Sequence, residues 1–367
     1  MAWLETAWLR AVSGRGFGGL AARAVLSPAS YLYGAGVMAY RALYDAHLFE
    51  TVEPALPTVS VGALAVGGAG KTSIAAFLAS ELLKRGRRPA IVLRGYRRRT
   101  GGEGTVVASA GKGRQVSPEV CGDEAAMLAD MCPEAVVVVN AKREVAIQDA
   151  RRLGAEVAIL DDGFEYFRLK RHHELVLINL LQFGPAMRML PAGILRSPPR
   201  LLARASQVWF TYAGSVPAEV VDSARAWARK YAGRAPTVGV DYALASFRRV
   251  AGAEHELSVG ARVAAFCGIG SPEGFRQTLM RSRVRLVEIL AFPDHHWYTA
   301  ADVSRLKKWA RGLGVDAVVC TAKDAVRLPV AMWQENDLPL LVAEARTEVL
   351  WGHEAIEEVL NLCPSSL

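Results

Sequence analysis

A turn that contains three glycines is followed directly by a lysine and a threonine. The turn is Gly67–Gly70, the next residues are Lys71 and Thr72, and the apolar run Thr58–Val61 precedes them. A strand, a glycine-rich turn and Gly-Lys-Thr at the start of a helical pattern are typical of a phosphate-binding loop. Glycines allow backbone N–H groups to converge on phosphate oxygens, and the helix N-terminus adds its positive dipole end. The sequence therefore predicts a nucleoside triphosphate site.

The residues of this loop have distinct predicted roles. Lys71 is expected to reach the β- and γ-phosphates, and the Thr72 hydroxyl to lie on Mg²⁺. The usual pattern has glycine where this chain has Ala65, so a glycine-rich turn without a ligand is the alternative. The Gly-Lys-Thr context argues against that alternative. We predict nucleotide contacts for Gly67, Gly68, Ala69, Gly70, Lys71, Thr72 and Ser73.

Two consecutive carboxylates follow another apolar run. Asp161 and Asp162 come directly after Val157–Leu160. In enzymes with a phosphate-binding loop, an acidic residue at the end of another strand holds Mg²⁺. A helix-capping turn would also explain two aspartates here, but the phosphate loop earlier in the chain favours the metal.

Strands must bring these residues to one edge of a sheet, and the chain alternates strand-like runs with helical patterns. Near-continuous Val, Ile and Leu runs are typical of strands buried on both faces, so the alternation predicts a parallel α/β sheet. The predicted strands are Thr58–Val61, Ala90–Leu93, Ala135–Val139, Val157–Leu160, Leu175–Ile178, Gln207–Phe210, Thr237–Val240, Arg262–Phe266, Leu286–Ala291, Ala317–Thr321 and Leu340–Ala343. The predicted helices are Thr72–Arg85, Glu124–Met131, Pro272–Arg281, Thr299–Leu313 and Glu354–Leu362.

A polar stretch with glycine and proline, Thr211–Pro217, interrupts this alternation. Because the alternation resumes after it, we predict two domains, residues 1–212 and residues 213–367. The first contains the phosphate loop.

The chain of 367 residues has a formal net charge of +8, and the whole surplus lies before residue 205. A basic surplus predicts anionic partners: nucleic acid, phosphorylated metabolites or an acidic membrane surface. The most basic stretch, Lys84–Arg114, includes a single aromatic residue, Tyr96. Sparse aromatic residues argue against single-strand binding by stacking. Contact with a lipid headgroup or a substrate phosphate is favoured, and no nucleic acid is expected.

The N-terminal residues include Trp3 and Trp8 beside Arg10 and Arg15, a pattern typical of a helix that lies in a membrane interface. A surface helix packed on its own domain is the alternative, and both stay open here. The longest uncharged stretch nearby, Ala24–Tyr40, is too short to span a bilayer. Five scattered cysteines without C-x-x-C spacing indicate neither a zinc site nor a disulfide framework, and they favour a reducing, cytoplasmic location.

Eight short segments occur in a characteristic order: Val61–Ser73, Arg94–Tyr96, Gly122–Glu124, Asp161–Phe164, Leu190–Arg196, Ala265–Gly270, Phe292–His296 and Thr321–Ala325. Together they resemble the tetraacyldisaccharide 4′-kinase family, over nearly the whole chain. A phosphate loop alone is generic, whereas this ordered set is specific.

The resemblance implies a fold, an activity and a location. The fold is α/β, with a P-loop kinase-like parallel sheet domain, a second, smaller α/β domain and a cleft between them for the acceptor. The activity is transfer of the γ-phosphate of ATP, with Mg²⁺, to the 4′-hydroxyl of an acylated glucosamine disaccharide phosphate in lipid A biosynthesis. The location is peripheral, on the cytoplasmic face of the bacterial inner membrane, which favours a membrane-interface helix at the N-terminus and contact with an anionic membrane surface. A monomer is expected.

The resemblance also implies residue roles. Asp123 and His295, with His295 preferred to His296, form a dyad in which the carboxylate orients the imidazole as general base. From residue types alone, Asp123 would also suit a helix N-cap and His295 a surface loop. Lys71 is the third implied catalytic residue. The implied metal residues are Thr72, Asp161, Asp162 and Glu124, and the implied acceptor contacts are Arg94, Tyr96, Arg196 and Asp294.

Seven positions depart from the family's pattern: Ala63, Leu93, Arg97, Glu165, Tyr166, Asn179 and Ser197. The family usually has an amide where this chain has Glu165, and a glutamate where it has Ser197. These departures leave two alternatives. One is a diverged kinase or ATPase that acts on another glycolipid or sugar acceptor, and the other is a nucleotide-dependent binding or regulatory protein.

Overall fold

The structure of the chain is a computed structural model, which describes residue 8 and residues 11–14, 16–95, 104–250, 255–334 and 336–362. The strands are β1 (Thr58–Ala63), β2 (Pro89–Leu93), β3 (Val106–Ala110), β4 (Val136–Val139), β5 (Val157–Asp161), β6 (His173–Asn179), β7 (Gln207–Thr211), β8 (Thr237–Arg249), β9 (Arg262–Cys267), β10 (Arg285–Ala291), β11 (Ala317–Thr321) and β12 (Leu340–Trp351). The helices are α1 (Phe17–Asp45), α2 (Lys71–Lys84), α3 (Pro118–Cys121), α4 (Asp123–Met131), α5 (Arg143–Arg152), α6 (Ala218–Ala232), α7 (Pro272–Met280), α8 (Ala300–Leu313), α9 (Ala322–Ala325) and α10 (His353–Leu360).

The order of the strands explains why the site residues meet. The twelve strands form one sheet in the order β10-β9-β11-β12-β8-β7-β6-β1-β5-β2-β4-β3. The run β6-β1-β5-β2-β4 is parallel throughout. The carboxyl ends of these strands therefore share one edge, which is where ligands bind in open α/β sheets.

Helices cover both faces of the sheet around β1. Helices α2 and α4 pack on one face and α5 packs on the other. Strand β4 is a run of four buried valines, as expected for a strand covered on both sides. The last helix, α10, also packs on the face of α2, through Ile356 and Val359. Burying one such side chain stabilises the fold by roughly 1.5–3 kcal/mol, so this packing fixes the edge of the sheet that carries the phosphate loop.

The predicted α/β class is confirmed, and each predicted strand and helix corresponds to an observed one. The parallel arrangement is wrong for β8 and β12, which pair antiparallel from Gly239 and Trp351 to Arg249 and Leu341. Both strands extend well beyond the short predicted runs, because one half of each lies outside the buried core and lacks a continuous apolar pattern. We call this pair the ribbon.

Six of these elements were not predicted: β3, α1, α3, α5, α6 and α9. Two of them, α5 and α6, are regular helices of 10 and 15 residues. Many residues of the two helices are charged, and several of their buried positions are alanines. Both helices are nevertheless amphipathic, but few large apolar residues mark their buried faces.

The ribbon joins two groups of elements. We call β1–β7 with α1–α5 the first lobe, and β9–β11 with α7–α9 the second lobe. The predicted division between residues 212 and 213 stays a prediction. In the sheet, β7 pairs with β8 across this point, so the twelve strands run on from one lobe to the other.

Helix α1 presents large apolar side chains to solvent. Phe17, Val25, Tyr31 and Leu32 are each more than 70 % exposed. The helix has 29 residues and continues through Pro28. Within the described ranges, no helix combines the length and the apolar character needed to cross a membrane.

The described part of the predicted N-terminal interface segment packs on the protein itself. The indole N–H of Trp8 donates to the Pro191 carbonyl at 2.7 Å, and Val12 is buried. Trp3 lies outside the described residues. Among the described residues at this end of the chain, the large exposed apolar side chains belong to α1.

Candidate active site

The glycine-rich turn joins β1 to α2 at the carboxyl edge of the sheet. Gly67 and Gly70 have φ values of +99° and +84°, which glycine adopts without strain. Gly70 is the N-cap of α2, and Lys71 and Thr72 begin its first turn. Residues 67–73 line the cleft, so the N-terminus of α2 lies where an anion would be favoured by the helix dipole.

Side chains from other strands hold the loop in place. Asn179, one of the departures from the family's pattern, donates from Nδ2 to the Gly68 carbonyl at 2.8 Å. Thr211 donates to the next carbonyl of the loop at 3.1 Å. The Tyr242 hydroxyl lies 2.1 Å from the point that a Cβ on Gly70 would occupy. Glycine at position 70 is therefore required by the approach of Tyr242 as well as by its φ.

Asp161 ends β5 beside the loop. It is 5 % exposed, and Thr72 Oγ1 donates to its Oδ2 at 2.9 Å. Burial, together with the nearby charges of Glu124 and Asp162, raises the pKa of the Asp161 carboxyl to about 7. The protein groups around this carboxylate do not neutralise its charge.

Asp162, the next residue, has the opposite environment. Lys71 Nζ lies 3.8 Å from its Oδ1, and Arg196 Nη1 donates to its Oδ2 at 3.0 Å. Partial desolvation in the cleft would raise the pKa of Asp162, but the charges of Lys71 and Arg196 outweigh it and hold the pKa at about 2. Lys71 and Arg196 thus neutralise the charge of Asp162, whereas the charge of Asp161 is not neutralised in this way.

The oxygen donors beside the loop fit Mg²⁺. Thr72 and Asp161 offer a hydroxyl and a carboxylate in direct contact. Mg²⁺ is usually held by one or two carboxylates together with substrate phosphates, not by an all-protein cage. No cluster of three His, Cys, Asp or Glu side chains within the described ranges could hold a metal without such help. Glu124, also among the predicted metal residues, accepts a hydrogen bond from Lys323 at 3.1 Å.

Asp123 and His295 meet across the cleft. Asp123 is the first residue of α4 in the first lobe, and its Oδ2 lies 2.8 Å from Nδ1 of His295 in the second lobe. Burial alone would raise the pKa of Asp123, but the hydrogen bond from His295 and the charges of Lys323 and Arg327 lower it to about 2. Because the carboxylate can only accept, Nδ1 carries the proton of this pair, and Nε2 is the nitrogen that can serve as a base.

The backbone of His295 has a left-handed conformation, with a φ of +60°. Such values are uncommon outside glycine and cluster at functional sites. The neighbouring His296 is used differently: its Nε2 lies 3.1 Å from Asp302 Oδ2, and its ring stacks on Phe292 with 4.8 Å between ring centroids. The fold therefore joins His295, and not His296, to Asp123.

Lys323 supports this dyad, and the sequence interpretation gave it no role. Its Nζ lies 3.2 Å from His295 Nε2 and 3.6 Å from Asp294 Oδ1. Burial would lower the pKa of Lys323, but the carboxylates of Glu124, Asp294 and Asp123 raise it. Lys323 thus binds both lobes together as an ammonium ion.

Arg327 contacts Asp123 of the dyad, and Asp324 in turn holds Arg327. The sequence interpretation gave neither residue a role. Arg327 Nε lies 3.7 Å from Asp123 Oδ2, and its Nη2 donates to Asp324 at 2.8 Å. Asp324 is fully buried and also accepts from the Gly268 N–H and the Tyr298 hydroxyl. The only sequence signal was the segment Thr321–Ala325, which marked the place without indicating these contacts.

The two lobes enclose one large cleft of about 1490 Å³. The phosphate loop, Asp161 and Asp162 line one side, and Asp294, His295 and Lys323 line the other. The lobes touch here, because the Gly68 N–H lies 3.4 Å from the Gly270 carbonyl. The predicted nucleotide contacts and the predicted base thus lie on opposite sides of the cleft, which we call the phosphate side and the proton-accepting side.

Comparison with known proteins decides the family. The sequence model of the family described as tetraacyldisaccharide-1-P 4′-kinase matches residues 22–363. The chain belongs to the tetraacyldisaccharide 4′-kinase family. It is 38 % identical to the tetraacyldisaccharide 4′-kinase of Anaeromyxobacter dehalogenans (strain 2CP-C), over 98 % of this chain and 95 % of the relative. It is 34 % identical to that of Desulfotalea psychrophila (strain LSv54 / DSM 12343), over 92 % of this chain and 96 % of the relative.

A solved structure supports the same conclusion. The crystal structure of LpxK from Aquifex aeolicus in complex with ATP matches with a TM-score of 0.71 and 27 % sequence identity, over 93 % of this chain and 99 % of that chain. The predicted family and fold class are thus confirmed. The protein is a phosphotransferase, the 4′-kinase of lipid A biosynthesis, and the alternative of another acceptor class is not favoured.

In this 4′-kinase, two of the positions predicted to depart from the family's pattern contact each other. Ser197 Oγ donates to Glu165 Oε1 at 2.6 Å, and Arg196 Nε lies 3.5 Å from the same oxygen. Glu165 therefore places a carboxylate beside Arg196.

The predicted acceptor contacts of the 4′-kinase have different surroundings. Arg94 is exposed in the wall of the cleft. Arg196 is held by Asp162, and Asp294 lies beside Lys323 and His295. Tyr96 lies outside the described residues. Their roles stay predictions.

Proposed function

We propose that this 4′-kinase transfers the γ-phosphate of ATP to the 4′-hydroxyl of an acylated glucosamine disaccharide 1-phosphate at a membrane surface. The observation that carries the proposal is the 2.8 Å contact between Asp123 Oδ2 and His295 Nδ1. It brings a general base from the second lobe to a cleft whose other side is a phosphate-binding loop. Phosphoryl transfer needs mainly positioning and charge neutralisation, with one group to orient or deprotonate the nucleophile.

The triphosphate binds to residues 67–73. Backbone N–H groups of the loop and of the α2 N-terminus donate to its oxygens. Lys71 Nζ lies 3.8 Å from Asp162, beyond hydrogen-bond distance, so its N–H groups can donate to the β- and γ-phosphates. Thr72 and Asp161 are the residues that would hold Mg²⁺, which when bound neutralises charge on the phosphates.

His295 is the base for the acceptor hydroxyl. The 4′-oxygen bonds to the γ-phosphorus, the bond from that phosphorus to the bridging oxygen of ADP breaks, and the hydroxyl proton passes to His295 Nε2. Asp123 then stabilises the imidazolium through Nδ1. Lys323 lies 3.2 Å from Nε2, so the hydroxyl must displace this ammonium when the acceptor binds.

Helix α1 is the surface that meets the membrane. Its exposed apolar side chains include Phe17, Leu20, Val25 and Leu32, and the basic surplus lies in the same part of the chain. Apolar insertion combined with attraction to anionic lipid is the usual basis of peripheral binding. The proposed location is the cytoplasmic face of the inner membrane, where the protein is peripheral.

The reaction is tested with purified protein, Mg-ATP and the disaccharide 1-phosphate in detergent micelles. We expect equal amounts of ADP and 4′-phosphorylated lipid, identified by mass spectrometry. Expression in a conditional strain lacking the 4′-kinase should restore growth with the wild-type chain but not with Asp123→Ala. Absence of lipid product over a range of detergents and divalent metals would overturn the proposal.

Membrane binding is tested by co-sedimentation with vesicles that contain anionic phospholipid. The double variant Val25→Ser, Leu32→Ser should bind several-fold more weakly than the wild type. The control is Val259→Ser, since Val259 is 78 % exposed but lies in the second lobe. Equal binding by all three proteins would show that α1 is not the contact.

A further inference from the structure

Lys323 donates to the nitrogen that serves as the base. Its Nζ lies 3.2 Å from Nε2 of His295, and Nδ1 of the same ring contacts Asp123 Oδ2 at 2.8 Å. Because an ammonium group has three donors and no acceptor, Nε2 is the acceptor in the contact with Lys323. The lone pair that must take the proton of the nucleophile is therefore occupied before an acceptor binds.

Two carboxylates also hold this ammonium group. Lys323 Nζ donates to Glu124 Oε1 at 3.1 Å and lies 3.6 Å from Asp294 Oδ1. The contact with His295 can therefore break while both charged partners stay in place. Since an ion that keeps its partners is not left as an unpaired buried charge, another hydrogen-bond donor can take over Nε2 at a modest cost.

The backbone of Lys323 is fixed, so only its side chain needs to move. Arg327 Nε donates to the Lys323 carbonyl at 2.9 Å. Asp324, the next residue, is fully buried and accepts from the Thr321 hydroxyl and the Gly268 N–H. The flexible four-carbon stem of a lysine allows the ammonium to withdraw while the dyad keeps its geometry.

Water can reach this part of the cleft. The side chains of Glu124 and Asp294 are 33 % and 35 % exposed, and both line the cleft. If His295 were available to water, the water oxygen would bond to the γ-phosphorus and the bond from phosphorus to the bridging oxygen of ADP would break. The proton would pass to Nε2, and the products would be ADP and inorganic phosphate. A kinase with this base must therefore distinguish an alcohol from water.

We infer that Lys323 is a specificity-determining residue, which shields His295 Nε2 from water and releases it to the acceptor's hydroxyl. This inference rests on the proposed function. A hydrogen bond from an ionised donor is stronger than one from neutral water, so water alone does not displace the ammonium. The acceptor also contributes the binding free energy of its sugar and lipid groups, which offsets the loss of the contact.

The test measures release of inorganic phosphate from Mg-ATP without acceptor, beside transfer to the disaccharide 1-phosphate. Lys323→Met removes the ammonium and keeps most of the side-chain volume. Phosphate release should rise about 10- to 100-fold, the usual value of a hydrogen bond to a charged group, and kcat for transfer should change less than tenfold. Lys323→Arg keeps a cation and should release less phosphate than Lys323→Met. Lys307→Met, which removes an ion pair with Asp337 in the same lobe, is the matched control and should behave as wild type.

A double variant shows which group activates the water. Adding His295→Ala to Lys323→Met should abolish the gain in phosphate release, because the hydrolysis uses the released base. A gain that persists without His295 would overturn the inference. A parallel loss of phosphate release and transfer in Lys323→Met would also overturn it, since the ammonium would then act in the transfer itself.

Folding defects and failure of the proposed function give different results. If Lys323→Met has a lower Tm than the wild type, Lys323→Gln, which keeps a donor for Glu124, provides the same comparison. Wild-type transfer without any gain of phosphate release in either variant would refute the role of Lys323 alone. If the wild type phosphorylates no lipid, the proposed function itself is refuted.

Discussion

The phosphate side of the cleft is built within the first lobe, whereas its proton-accepting side is assembled from both lobes. Lys71, Thr72, Asp161 and Asp162 belong to strands and turns that adjoin in one parallel sheet. The Asp123–His295 contact, by contrast, joins residues 172 positions apart. The difference teaches that the predicted phosphate and metal contacts come from neighbouring elements of one lobe, whereas the predicted base requires contact between the two lobes.

The largest effect is expected on the phosphate side. Lys71→Met should lower kcat/KM about 10³-fold, because it removes a cation from the transferring phosphate. The change is measured by product formation at saturating acceptor. Lys84→Met, at the exposed end of the same helix, is the control and should have little effect. Activity within tenfold of wild type for Lys71→Met would contradict the assignment.

The next effect belongs to the residues that join the lobes. His295→Ala and Asp123→Asn should each lower kcat about 10²-fold, the usual contribution of a general base. The double variant should be little worse than either single one, because the two residues act as a unit. His296→Ala is the control, since its ring contacts Asp302 and Phe292 instead. Multiplicative losses in the double variant would mean that Asp123 and His295 act separately.

A smaller effect is expected at the contact between Ser197 and Glu165, on the phosphate side. Ser197→Glu should lower the free energy of unfolding by roughly 1–3 kcal/mol, because it buries a second carboxylate against Glu165. Adding Glu165→Gln should restore most of the lost free energy of unfolding, since the effects of mutations at contacting residues commonly differ from additivity by about 0.5–3 kcal/mol. Urea denaturation of the wild type, the two single variants and the double variant gives the coupling free energy between positions 165 and 197. Strictly additive changes would show that the two positions are independent.

The smallest effect concerns the approach of the ribbon to the phosphate loop. The Tyr242 hydroxyl is buried and has no hydrogen-bond partner within the described ranges. Tyr242→Phe should therefore leave the free energy of unfolding unchanged or raise it by up to about 1 kcal/mol. Tyr298→Phe, a matched control whose hydroxyl donates to Asp324 at 2.9 Å, should lower it by about 1–2 kcal/mol. A large loss in Tyr242→Phe would reveal a partner for its hydroxyl.

The same contrast explains what the sequence could predict. The phosphate loop and Asp161 were predicted because strand, turn and helix follow one another in the chain, so the pattern can be recognised locally. Asp123 and His295 were predicted only through the resemblance to the family, since each alone suits an ordinary cap or loop. The contacts of Lys323 were not predicted, because they depend on which carboxylates the packing brings beside it.

The fold class was predicted from apolar runs, but the ribbon was not. Outside the core, β8 and β12 stabilise each other by pairing and not by burial, so no continuous apolar pattern reveals them. The helices α5 and α6 were also missed although both are amphipathic, because alanines predominate at their buried positions and few large apolar residues mark them.

The continuous sheet has a consequence for attempts to divide the protein. A fragment that ends at residue 212 would lose β8 from the side of β7, and it would also lose α10 from the face of α2. The freed edge, Gln207–Thr211, contains Val, Trp and Phe, and an exposed apolar edge strand is a template for intermolecular pairing. The first lobe expressed alone should therefore aggregate, even though every residue of its phosphate loop is present.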